Sequence, residues 1–234
     1  MSGTGGQTPQ PVLVAWSGGK DSTLALREIL GDGRYRVAAL LTTVTSESDR
    51  ISIHGVRRTL LRRQAASLGL PLEEVLIWPG ASNDQYEARM GAALKALRSR
   101  ISGLSTVVFG DLFLADIRSY RERVLAQIGM HGLFPLWLRD TRALAHDFVD
   151  LGYRAVLVCV DTAQLAGAFA GRDFDAALLR DLPPSVDPCG ENGEFHTFVY
   201  AGPGLRQPVR HTRGPVVLRD DRFVYCDLVD TTPQ

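Results

Sequence analysis

Short apolar runs alternate with amphipathic stretches over the first 138 residues. Val12-Leu13-Val14-Ala15-Trp16 is uniformly apolar and short, the pattern of a strand buried on both faces. Thr23–Leu30 then places its apolar residues at helical spacing, and Gly31 and Gly33 end that helix. Tyr35–Thr43 predicts a second strand, and His54–Leu68 a basic amphipathic helix stopped by Gly69 and Pro71. Leu72–Trp78 follows as a third strand. Asn83–Arg100 follows as a helix capped by Ser82 or Asn83. Thr106–Phe109 predicts a fourth strand, Ile117–Gly129 a helix and Leu133–Trp137 a fifth strand. Strand and helix in strict alternation predict an α/β fold: a Rossmann-like parallel sheet of about five strands with flanking helices. Ligands of such sheets lie beyond the carboxyl ends of the strands. That rule gathers Ser17–Ser22, Thr42–Thr45 and Gly110-Asp111 around one crevice.

From about Arg139 the alternation loosens. Ala143–Leu151 and Phe174–Leu182 are helical in pattern, and strands are expected at Ala155–Val160, Phe195–Tyr200, Pro215–Arg219 and Phe223–Val229. A smaller C-terminal α+β domain follows from that pattern. The division is a polar, disordered tail over 1–10, a nucleotide-binding domain over 11–138 and a substrate-binding domain over 139–234.

Composition narrows the class. The chain carries 26 basic and 26 acidic residues among 234, so no excess charge favours wrapping a nucleic acid. No apolar run has membrane length, and the start lacks a signal-peptide pattern. Cys159, Cys189 and Cys226 form no CxxC pair, which fits a reducing cytoplasm and gives neither zinc site nor disulfide framework.

The chemistry sits between the first strand and the first helix, in Ser17-Gly18-Gly19-Lys20-Asp21-Ser22. Strand, glycine loop and helix N-terminus together aim backbone N–H groups at an anion, and glycine lets the backbone come close. Ser17 and Ser22 add hydroxyl donors and Lys20 adds a compact charge. Lys20 and Lys95 are the only lysines in an arginine-rich chain, so an ammonium in the loop suits a specific demand. A Walker A loop is excluded, because Val14 holds its first glycine position and Asp21 its hydroxyl position. The pattern GxGxxG is absent as well.

What remains resembles the SGGxDS loop of the PP-loop ATP pyrophosphatases, which cleave ATP between its α and β phosphates. Further segments resemble the diphthine–ammonia ligase family and its bacterial relatives. They are ASLGLPL (66–72), GDLFLADIRSYRERV (110–124), FPLW before Arg139-Asp140, LGYRAVLVCV (151–160) and GENGEFHTFV (190–199). The resemblance runs in order from residue 12 to about 200. It implies ATP and magnesium as cofactors, a carboxylate substrate activated as its adenylate, and ammonia as the nucleophile that leaves an amide. Diphthine on elongation factor 2 is the family's named substrate. The glycine-rich GEGGE of the ligases reads Gly190-Glu191-Asn192-Gly193-Glu194 here.

The resemblance and the residue types give one candidate set. Ser17, Gly18, Gly19, Lys20, Asp21 and Ser22 would hold the nucleotide, with Thr42, Thr43, His54 and Gly110 beside it. Lys20, Asp21 and Asp111 would serve catalysis, and Asp21 and Asp111 a metal ion. Glu191, Asn192, Gly193, Glu194 and His196 would meet the substrate, the acids suiting a cationic group or an ammonium ion. Arg118 and Arg121 suit either a phosphate or carboxylate, or ordinary surface pairs, and Cys189 is a nucleophile only with a base nearby. Arg57, Arg58, Arg62 and Arg63 read as a solvated helical face. A tRNA-modifying enzyme with the same loop and a non-catalytic ATP sensor are the competing functions.

Overall fold

The computed structural model describes residues 8–47, 49–51 and 55–231. Its chain runs β1 (Gln10–Ala15), α1 (Lys20–Gly31), β2 (Tyr35–Thr45), β3 (Arg50–Ile51), α2 (Arg58–Leu68) and β4 (Leu72–Ile77). It continues through α3 (Asn83–Arg100), β5 (Thr106–Val108), α4 (Ala115–Ala126) and β6 (His131–Leu133). Five of these strands form the expected parallel sheet, in the order β4-β2-β1-β5-β6. The two-residue β3 joins it antiparallel at the end of β2 and is too short to have left a sequence pattern.

The period-2 geometry of β1 explains its unbroken apolar run. Val12 and Val14 face one side of the sheet, where α1, α2 and the C-terminal elements pack. Leu13 faces the other side with Ala39, Leu41 and Val107, under α3 and α4. All three residues of Val12–Val14 are fully buried, each worth roughly 1.5–3 kcal/mol of transfer free energy. The position of the loop that follows is thereby fixed by a central strand buried on both faces.

Side-chain caps set several boundaries. Ser82 and Gln85 form a reciprocal capping box at the start of α3. Asp140 caps α5 (Thr141–Asp150), and Asp175 caps α6 (Ala176–Asp181).

The second sheet is antiparallel, in the order β8-β7-β10-β9, from β7 (Arg154–Asp161), β8 (Phe195–Ala201), β9 (His211–Arg219) and β10 (Phe223–Asp230). Phe148, Val156, Phe195 and Phe198 from this half share one continuous core with Val12, Leu24 and Leu60. No helix among the described residues is long and apolar enough to cross a membrane.

Several boundaries depart from the sequence reading: α1 begins at Lys20 and not at Thr23, α4 spans Ala115–Ala126 and not Ile117–Gly129, and β9 begins at His211 and not at Pro215. The fifth strand lies upstream, at His131–Leu133, and Phe134–Trp137 turns instead. Pro135 has no N–H to give a ladder, and the Trp137 N–H closes the turn onto the Phe134 carbonyl. The expected tail loses Gln10 to β1, while residues 1–7 lie outside the described residues. The second helix begins at Arg58, not at His54, which also lies outside the described residues.

Candidate active site

Between β1 and α1 the chain makes the turn that the glycines permit. Gly18 sits at φ +78°, and a Cβ there would lie 2.6 Å from Leu61 Cδ1 and 2.9 Å from Gln64 Oε1. Gly18 is thus turned inward, behind the cavity wall. The Gly19 N–H donates to Ser17 Oγ at 3.2 Å, and Ser17 Oγ lies 3.2 Å from Ser22 Oγ. Ser22 and Thr23 both donate their hydroxyls to the Gly19 carbonyl, at 3.0 and 2.9 Å. These bonds wind the loop tightly onto the first turn of α1, whose leading N–H groups have no partners within the helix. Lys20 N–H finds one outside, donating to Thr197 Oγ1 of β8 at 3.1 Å.

The loop is held from the second sheet as well. The Val199 N–H donates to the Gly18 carbonyl at 2.9 Å. Gly110, at the end of β5, packs against α1 so closely that a Cβ would sit 2.7–2.9 Å from the backbone of Asp21 and Ser22. A side chain does not fit there.

Lys20 is 2% exposed. Its Nζ donates to both oxygens of Asp21, at 2.9 and 2.8 Å, and to the Cys189 carbonyl. Burial opposes the ammonium charge, but the charge and hydrogen bonds of Asp21, with the field of Asp187, outweigh it and hold Lys20 protonated. The rings of Phe195 and Phe174 lie 5.6 and 5.9 Å from the same Nζ.

A cavity of about 450 Å³ opens over these groups. Its wall contains Ser17, Gly19, Lys20, Asp21 and Ser22 from the loop, Thr42 and Thr43 from β2, and Gly110 and Asp111 after β5. Glu191, Gly193 and His196 reach it from the C-terminal half. The strand ends expected to share a crevice therefore do so. Glu191 Oε1 accepts the Leu112 N–H at 2.7 Å, and burial together with the charges of Asp21 and Asp111 lifts its pKa to about 7. His196 is driven the other way, to about 4, first by burial and then by the Lys20 charge, so its imidazole is neutral at pH 7.

Two expected substrate contacts fall outside the wall. Glu194 is 2% exposed and turned into its own loop, accepting the Asp187 N–H at 2.9 Å and the Asn192 amide at 3.0 Å. Asn192 is exposed and serves that strut. The metal assignment gains no third donor, since no group of three His, Cys, Asp or Glu side chains among the described residues is placed to hold an ion. Asp21 pairs with Lys20, and Asp111 lies 2.8 Å from Arg121 Nε. Arg121 faces the cavity over the Phe109 ring, whereas Arg118 pairs with Glu122 and covers Phe134 and Trp137. Cys189 is buried, its thiol pushed far up by that burial, and Sγ donates to the Thr141 carbonyl, surroundings that do not favour a thiolate. The arginines of α2 are paired rather than merely solvated, Arg57 with Asp227 and both Arg58 and Arg62 with Glu74.

Residues not singled out from sequence complete the site. Gln64 and Thr197 grip the loop, while Tyr86, Met90, Phe109 and Tyr120 form the apolar side of the cavity. A polar glutamine on the apolar face of α2 was the available signal for the first. For the aromatic wall none existed, because α3 and α4 have to pack against the sheet in any case.

Residues 10–132 match the diphthamide synthase N-terminal domain, and residues 140–213 match the diphthamide synthase C-terminal domain. The chain belongs to the diphthamide synthase family. Among curated relatives, a diphthine–ammonia ligase of Schizosaccharomyces pombe is 26% identical over 223 residues, covering 88% of this chain and 37% of that protein. A diphthine–ammonia ligase of Danio rerio is 25% identical over 228 residues, covering 88% of each chain. This chain thus spans little more than a third of the fission yeast enzyme but most of the zebrafish one.

Proposed function

We propose that this diphthamide synthase family member is an ATP-dependent, AMP-forming ligase that converts a carboxylate to an amide with ammonia. The observation that carries the reading is the loop: a turn at a strand–helix junction, its wall open to a cavity, with Lys20 and two hydroxyls at its rim. Such a turn suits the β and γ phosphates of ATP. The substrate carboxylate attacks the α-phosphorus, the bond to the β-phosphate oxygen breaks, and pyrophosphate leaves. Ammonia then attacks the acyl carbon, AMP departs, and one proton is released. Glu191, half ionised near neutrality and in the cavity wall, is suited to accept that proton.

Little covalent help is required of the protein, because positioning and charge stabilisation supply most of the rate. Thr42 and Thr43 would flank the adenosine. Magnesium in nucleotide sites is held by one or two carboxylates plus phosphate oxygens, and Asp21 and Asp111 are the carboxylates suited to it. When bound, that ion neutralises charge on the departing pyrophosphate. Residues 11–138 would carry the nucleotide and 139–234 would present the substrate. Diphthine on elongation factor 2 is the first substrate to offer, from the names of the relatives.

The test is incubation of the full chain with ATP, magnesium, ammonium and elongation factor 2 bearing diphthine. AMP and pyrophosphate in equal amounts, dependent on the protein substrate, support the reading. Release of ADP and phosphate instead contradicts it.

A further inference from the structure

Gln64 of α2 is fully buried, a costly place for a primary amide unless each of its groups is bonded. Its Oε1 accepts the Trp16 Nε1–H at 2.8 Å. Its Nε2 donates to the Gly18 carbonyl at 3.0 Å and to the Val199 carbonyl at 2.6 Å. The partners fix the orientation of the amide, since an indole can only donate and a carbonyl can only accept. The site therefore demands one acceptor and two donors on one short planar group. Among uncharged side chains only an amide offers that set, and asparagine is one methylene shorter. A carboxylate would set a second acceptor against two carbonyls.

The three partners are not scattered. Trp16 and Gly18 flank Ser17 at the entry to the loop, and Val199 belongs to β8, whose own N–H also holds the Gly18 carbonyl. Gln64 thus stitches the end of β1, the inward turn of the loop and the second sheet at a single point. With Gly18 turned inward, Ser17, Gly19 and Ser22 line the cavity.

We infer that Gln64 is a positioning residue for the anion-binding loop: it sets the conformation in which residues 17–22 accept a pyrophosphate group, without touching the ligand itself. The inference rests on the proposed nucleotide reading of that loop and adds the residue that shapes it. It separates two ligand classes, because the shape of the loop governs phosphate binding while Thr42 and Thr43 lie apart from the Gln64 bonds.

Inorganic pyrophosphate and adenosine are the probes, titrated calorimetrically into the full-length wild type, Gln64→Glu and Trp16→Phe, with thermal unfolding followed in parallel. Gln64→Glu keeps the shape and removes both donors when ionised and one of the two when protonated, so pyrophosphate affinity should fall at least tenfold while adenosine affinity stays within about twofold. Trp16→Phe leaves the two loop-directed donors in place and should keep pyrophosphate affinity within about threefold. Should Gln64→Glu fail to fold, Gln64→Met takes its place with the same expected split. Equal losses for both probes, or unchanged pyrophosphate affinity in the folded Gln64 variant, would overturn the inference. Wild-type protein that ignores pyrophosphate but binds adenosine would sink the reading of the loop, and the role of Gln64 with it.

Discussion

At the residue scale the site is governed by what burial does to charge. Glu191 has a folded pKa of about 7 against an ordinary carboxylate value, so the folded protein holds its proton more tightly than the unfolded chain does. The stability this lends is fully present below the unfolded pKa and is lost as pH rises through 7. Glu191→Gln removes the titration while leaving an oxygen for the Leu112 N–H. Its melting temperature should match the wild type near pH 5 and exceed it at pH 8; an unchanged difference between the two pH values would refute the burial argument. Lys20 bears on stability as well as on chemistry. Its ammonium is locked to Asp21 and the Cys189 carbonyl, so Lys20→Ala leaves a half-buried carboxylate unpaired. Loss of pyrophosphate release from that variant is informative only beside its melting curve.

At the element scale, strand and helix identities were legible because short apolar runs alternate with stretches whose apolar residues fall at helical spacing. The start of α3 was legible from Ser82 and Asn83 as alternative caps, and Ser82 with its capping box is the one that forms. Ser82→Ala should cost about 1 kcal/mol and leave nucleotide binding unchanged. What failed at this scale was the strand at Leu133–Trp137, where an apolar run hid a proline that ends the ladder. Gly110 was legible as a strand end beside the nucleotide, but not its contact with α1, which sets the loop against β5. Gly110→Ala forces backbone apart, since the atoms it meets belong to Asp21 and Ser22. The expected result is a loss of ~1–3 kcal/mol together with weakened nucleotide binding, read by denaturant melts and titration. A fully stable variant with native affinity would show that the first turn of α1 has slack.

At the scale of the whole molecule, the two sheets act on one site. Sequence placed the loop, the β2 tip and Gly110-Asp111 together, because parallel-sheet topology sends strand ends to one edge. It could not show that β8 bonds to the loop, since Thr197 and Val199 are 175 or more positions away and no period links them. Nor could it show that Glu194 faces inward while Glu191 faces the cavity, because two acids three apart in an irregular loop have no fixed relation. Thr197→Val keeps the shape of the side chain but removes the acceptor for the Lys20 N–H. Pyrophosphate affinity should drop severalfold with a stability change near that of one hydrogen bond, about 1 kcal/mol. Unaltered affinity would mean that the bond from the Lys20 N–H to Thr197 does not shape the loop.

The most direct measurement is titration of the isotopically labelled full chain with ATP, following backbone amide resonances by NMR. The account predicts the largest shifts at residues 17–22, with smaller ones at Thr42, Thr43 and Gly110. ATP-dependent shifts that leave 17–22 unmoved while perturbing another face of the protein would contradict it.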